Sequence, residues 1–240
     1  RGELGSEPTI ALYVEHMTQV FREVRRVLRK DGTLWLNLGD SYAGSGKGPS
    51  NSLQPEASQI GKRNTGQFSS GQAATSWTPI PRGLKAKDLC GIPWRVAFVL
   101  QEDGWWLRSD IIWAKPNPMP ESVTDRPTRA HEYIFLLTKS AKYFYDGDAV
   151  REPGQDWGQR DRTASKGPHH GLTDCDASVG RNARSVWNIA TEAFAEAHFA
   201  TFPTEIAKRC ILAGSREGDT VLDPFCGSGT TVMVALRHNR

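Results

Sequence analysis

The chain is poor in the residues that staple or metallate small proteins. Its 240 residues hold four cysteines, Cys90, Cys175, Cys210 and Cys226, and no C-x-x-C pair. Neither a thiolate zinc site nor a disulfide framework is therefore indicated. No apolar run approaches the roughly 18 residues of a membrane-spanning helix, and mean hydropathy is −0.51. Arg1–Ile10 lacks the basic-then-apolar order of a secretory leader. The first residue is not Met, so the chain reads as a fragment, and as a soluble intracellular one. Internal repeats are absent. What is present is enough for a core: 38% hydrophobic residues, eight Trp and nine Phe, with a net charge of +3. Global disorder is excluded, and the length suits one domain with insertions.

The order of segments is that of an α/β protein. Val14, Met17, Phe21, Val24 and Leu28 recur at steps of three or four, which predicts an amphipathic helix over Val14–Arg29. Lys30-Asp31-Gly32 stops it, and Thr33–Leu38 (TLWLNL) reads as a short buried strand ending at Gly39. Pro93 opens a second helix with Val96, Phe98, Val99 and Leu100 on its apolar face. Trp105–Ala114 is a strand that Lys115-Pro116-Asn117-Pro118 cannot continue. Tyr133–Leu137 and Lys142–Tyr145, rich in β-formers, predict a hairpin turning over Thr138–Ala141. The last unit reads as helix Thr204–Ala213, strand Thr220–Asp223, a glycine turn and helix Gly229–Arg237.

Two stretches resist this reading. Ala43–Asp88 carries seven Gly, seven Ser and a local charge of +4. So long a connection is functional or disordered, and a basic one suits a polyanion. Asp146–Arg184 is polar and irregular. Its Arg151, Arg160, Arg162, Lys166, Arg181 and Arg184 are candidates for reading guanines or holding phosphates. His169-His170 has no acidic or Cys partner at ligand spacing, so no metal is assigned.

The sharpest signal is Val221-Leu222-Asp223-Pro224-Phe225-Cys226-Gly227-Ser228-Gly229-Thr230-Thr231, a strand, a glycine turn and a helix start. Glycines let a ligand approach the backbone, and the helix N-terminus offers free N–H groups. The turn has no Gly-Lys-Ser/Thr, so it is not a P-loop. Val232 stands where a dinucleotide fingerprint needs its third glycine. Asp223 and Phe225 instead suit a cationic ligand.

With these residues in view, the turn resembles the cofactor motif of S-adenosylmethionine-dependent DNA amino-methyltransferases. His198-Phe199-Ala200-Thr201-Phe202-Pro203 resembles that family's H-x-x-x-F-P segment. Asp110–Asn117 with Arg129–Ser140 resembles the strand pair beside the target base. The order, with the cofactor motif last, resembles the permuted beta class. The resemblance implies a three-layer, Rossmann-like α/β fold with a mixed, mostly parallel sheet. It implies S-adenosylmethionine held by His198–Pro203 and by Asp223, Pro224, Phe225, Cys226, Gly227, Ser228, Gly229, Thr230 and Thr231. It also implies methyl transfer to the exocyclic amine of cytosine (N4) or adenine (N6) in double-stranded DNA.

Within a single domain, residues 1–42 and 89–145 would form the target-base half, 43–88 a basic insertion, 146–188 the target-recognition region, and 196–240 the cofactor half. Such enzymes work beside a cognate restriction endonuclease, some as homodimers, in bacterial, archaeal or phage-infected cytoplasm; no membrane is implied. The family's catalytic tetrapeptide, Asp/Asn/Ser-Pro-Pro-aromatic, does not occur in the chain. It is expected upstream of Arg1, and the ribose-holding acidic residue beyond Arg240. Asp40, Tyr42 and Trp113 are the remaining candidates beside the base. His131 and Glu132 read as a supporting hydrogen-bonded pair. The rival reading is a DNA-binding protein of methyltransferase ancestry without catalysis, and a third is methylation of RNA or protein.

Overall fold

The computed structural model describes residues 4–44, 83–154, 180–192 and 202–240. They fall into two compact units, one of Arg1–Glu23 with Gly39–Val99, the other of Val24–Leu38 with Leu100–Arg240.

In the first unit the predicted helical stripe is buried. Helix α1, Ile10–Val27, hides Val14, Met17 and Phe21. It begins four residues before the expected start because Thr9 caps it, its Oγ1 accepting from the N–H of Leu12 at 3.2 Å. Helix α2, Ile92–Glu102, starts one residue before the predicted Pro93, which takes the early-turn place where a missing N–H costs nothing. Between them the chain closes a narrow neck. Cys90 N–H donates to Ser41 O (2.9 Å), Ala43 N–H to Asp88 O (2.8 Å) and Lys87 N–H to Ala43 O (2.9 Å), and Tyr42 bridges Leu89. The basic insertion leaves and returns through this neck, and most of it, residues 45–82, lies outside the described residues.

The second unit holds the sheet. Strands β1 (Thr33–Leu38), β2 (Trp106–Ala114), β3 (His131–Thr138) and β4 (Val186–Asn188) lie in the order β1-β3-β2-β4. β3 is antiparallel to both β1 and β2, and β4 is parallel to β2. The sheet is mixed, as the resemblance implies, but only one of these ladders is parallel. β3 returns from the end of β2 and inserts, antiparallel, between β2 and β1. Ile134, Phe135, Leu136, Leu137 and Thr138 are buried one after another. A strand with no solvent face needs cover on both sides, as three-layer α/β folds provide.

Helix α3, Thr204–Gly214, covers one face with Ile206 and Cys210 against Ile111, Trp113, Ile134 and Trp187. Helix α4, Thr230–Arg237, packs beside it through Val234 and Ala235 on Ala207 and Ile211.

Two expected strands are corrected. Lys142–Tyr145 is not the second arm of a hairpin; it runs extended under other elements. Phe144 N–H donates to Asp31 O, Asp146 N–H donates to Ala213 O, both at 2.8 Å, and the Tyr145 ring stacks on Trp35. Its aromatic residues pack rather than pair. Thr220–Asp223 is also outside any ladder, with Leu222 59% exposed. A strand missed by the sequence reading, β4, lies just beyond the polar tract; three residues are too few to show periodicity.

Candidate active site

The glycine turn folds around Asp223. One carboxylate oxygen accepts from the N–H of Phe225 at 2.9 Å, and the other from the hydroxyl of Thr231 at 2.6 Å, eight residues on. Gly229 N–H donates to Cys226 O at 2.8 Å. Gly227 and Gly229 have φ of 51° and 82°, left-handed values that a side chain would strain. Gly229 is the N-cap of α4 and contributes no side-chain cap, so the first N–H groups of the helix face the turn. Phe225 is 49% exposed. A cavity of about 380 Å³ runs alongside, lined in part by Asp219, Val221, Asp223, Thr231 and Leu236. The turn thus combines a carboxylate, an exposed aromatic ring and a helix N-terminus. These are the groups the sequence assigned to a cationic cofactor.

Of the second predicted cofactor segment, His198, Phe199, Ala200 and Thr201 lie outside the described residues. Phe202 is packed against both α3 clusters, and Pro203 is the buried N-cap of α3. The helix start is closed by Glu192, whose carboxylate accepts from Thr204 N–H (3.2 Å) and Oγ1 (3.0 Å).

The three candidates beside the base have separate fates. Trp113 is 3% exposed, and its indole N–H donates to Ile189 O at 2.8 Å, so it is part of the core. Asp40 Oδ1 accepts from the N–H of Ser41 (2.9 Å) and of Ile92 (3.0 Å), where it braces the start of α2. Tyr42 is half-buried at the neck. The expected His131–Glu132 pair does not form, because adjacent strand residues point to opposite faces. The His131 ring meets the edge of Tyr133, while Glu132 engages Lys115 and Asn37.

Three of the predicted DNA-contacting arginines make ion pairs within the protein. Glu152, opposite Arg181 in an isolated bridge, accepts from the Arg181 guanidinium (3.1 Å) and from Arg184 Nε (2.8 Å). Arg151 Nε pairs with Asp148 at 2.7 Å. Burial opposes ionisation of Glu152, but the Arg184 N–H and guanidinium, with Arg181, outweigh it and hold the carboxyl below its usual range. Arg160, Arg162, Lys166, His169 and His170 lie outside the described residues.

Among the described residues no three His, Cys, Asp or Glu side chains converge as a metal site would require. Nor is any described helix long and apolar enough to cross a membrane.

A family model described as DNA methylase matches residues 1–240. This chain belongs to that family. The methylase is 47% identical over 239 residues to the Type II methyltransferase M.SmaI of Serratia marcescens, covering 100% of this chain and 71% of that protein. It is also 47% identical to M.Cfr9I of Citrobacter freundii, over 99% of this chain and 68% of that one. Among solved structures, the cytosine-N4-specific PvuII DNA methyltransferase superposes with a TM-score of 0.61 at 18% identity. That match covers 96% of this chain and 64% of that one. A DNA modification methylase of Thermus thermophilus complexed with S-adenosyl-L-methionine gives 0.54 at 24% identity, covering 96% and 69%. These likenesses establish the methyltransferase fold. The family match makes the chain a DNA methyltransferase and sets aside the reading of a non-catalytic DNA-binding protein.

Proposed function

We propose that this methylase transfers a methyl group from S-adenosylmethionine to the exocyclic amine of cytosine or adenine in double-stranded DNA. The observation that carries the cofactor assignment is the turn closed by Asp223 onto Phe225 and Thr231 at the start of α4. When bound, S-adenosylmethionine supplies an electrophilic methyl on a sulfonium. Asp223 and Phe225 suit its positive charge, and the N–H groups of α4 suit its electron-rich atoms. The resemblance assigns Phe202 and Pro203, at the start of α3, to the same cofactor.

The amine lone pair of either base is delocalised into the ring, so aim and electrostatics have to do most of the work. The base leaves the duplex to reach such a site and stacks on an aromatic ring. With Trp113 buried, Tyr42 is the aromatic candidate that remains. Asp40 serves as a brace for the segment that carries Tyr42. Residues 146–188 act as the target-recognition region, and the basic insertion adds phosphate contacts. The same reading places the protein in the cytoplasm beside a cognate endonuclease; sedimentation with and without DNA tests the homodimer.

The decisive assay incubates the protein with tritiated S-adenosylmethionine and mixed-sequence duplex DNA, then digests the product to nucleosides. Label in N4-methylcytosine or N6-methyladenine identifies the base. Label in neither, with intact cofactor binding, overturns the assignment.

A further inference from the structure

We propose that Glu132 is a positioning residue for the target base, acting through Lys115 and Asn37; the proposal rests on the methyltransferase reading above. β1, β2 and β4 run in one direction, so their carboxyl ends share an edge of the sheet, where β3 enters from His131. Ligands of open α/β sheets bind off that edge.

Glu132 stands there facing two neighbouring strands. One oxygen takes the Lys115 ammonium, and the other accepts from Asn37 Nδ2 at 3.2 Å. Asn37 also donates to Tyr133 O at 3.0 Å, and Lys115 N–H donates to Ala130 O at 2.8 Å. The Lys115 ammonium lies 4.2 Å from the Trp113 ring centroid, and Trp113 holds Ile189 beyond β4. Side chains Asn37, Glu132, Lys115 and Trp113 thereby link the ends of all four strands.

Stability alone does not account for this arrangement. The Lys115 and Glu132 side chains are 20% and 24% exposed. A partly exposed ion pair contributes little net stability, and an apolar pair of similar volume can serve a core as well. What the polar cluster adds is a fixed register of three strand ends at the edge where the base must be aimed. A misplacement of about 1 Å in such a site costs about 100-fold in rate.

The test compares Glu132→Gln, Lys115→Met and the double variant Glu132→Met with Lys115→Met. Five quantities are read: melting temperature, cofactor Kd, steady-state kcat and KM on duplex DNA, and amide hydrogen exchange. Glu132→Gln is expected to lower kcat about 10- to 100-fold, with cofactor Kd unchanged and faster exchange confined to residues 37–39 and 131–133. The double variant is expected to recover the melting temperature but not kcat. Recovery of kcat along with stability, or unchanged exchange at the edge, overturns the proposal. An inactive wild type whose edge exchange still responds to Glu132→Gln would refute the assigned reaction and leave the register role standing.

Discussion

Replacing Asp223 should weaken cofactor binding by opening a turn, and the magnitude can be worked from its two hydrogen bonds. Both carboxylate oxygens are engaged, to Phe225 N–H at 2.9 Å and Thr231 Oγ1 at 2.6 Å. Charge-assisted bonds contribute about 1.5–3 kcal/mol when buried. Asp223 is half-buried, so solvent screening reduces each to about 1 kcal/mol. A negative charge near the first turn of α4 adds about 0.3–1 kcal/mol. The sum, about 2–3 kcal/mol, corresponds to a Kd raised about 30- to 150-fold for Asp223→Ala. Thr231→Val removes one bond and should raise Kd about fivefold. The double variant should add little to Asp223→Ala, since both act on one closure.

Calorimetric titration of S-adenosylmethionine into each variant measures this, with melting temperature as a control for folding. If Thr231→Val binds as the wild type does while Asp223→Ala loses binding, Asp223 acts on the ligand directly and the closed-turn reasoning fails. If both bind within about twofold of wild type, the turn is not the cofactor site.

Three further outcomes follow from the described geometry. Glu152 has a depressed pKa, so its contribution is present above the ordinary value of 4.5 and disappears as pH falls through the lower folded value. Proteolysis at the 148–152 and 180–184 segments should therefore accelerate below about pH 4.5, and Glu152→Gln should remove that pH dependence. Burial pushes the Cys210 thiol far above its usual range, and Cys90 is buried as well, whereas Cys226 is exposed. In a Cys175→Ser background, a thiol reagent should modify Cys226 first and reach the others only on unfolding; mass spectrometry of the labelled peptide checks it. Finally, a Cβ on Gly214 would fall against Thr33 Oγ1 and Trp35 Nε1, closer than van der Waals contact. Gly214→Ala should destabilise the fold by about 1–3 kcal/mol in urea titration.

What was legible in the sequence was what depends on local order. The α1 stripe, the limits of β1 and the glycine turn each rest on neighbours within a few residues, and the structure has all three. The hairpin failed because aromatic, β-forming runs look alike whether they pair or pack. Phe144 lies under Arg216, with the guanidinium carbon 3.9 Å from its ring centroid, while β3 finds its partner β1 about a hundred residues earlier in the chain. The site divided in the same way. Asp223 could be placed within the turn because both its partners lie within eight residues. Glu132 was misassigned to His131 because its real partners come from other strands. Asn37 inside an apolar strand was the one local hint. Arg181 and Arg184 read as DNA contacts because Glu152, which holds them, is some thirty residues away.

The neck at Ser41–Ala43 and Lys87–Cys90 has a further consequence for how the protein can change over time. The chain leaves and re-enters the fold at adjoining points, and Glu152 with Arg181 brings residues 152 and 181 together in the same manner. Doubling the chain between such fixed points costs only about 0.6 kcal/mol of closure entropy. Insertions and deletions can therefore accumulate between these points while the sheet and the glycine turn keep their geometry. On the proposed assignment, a lineage can exchange the stretches that meet DNA without disturbing the turn that holds the methyl donor.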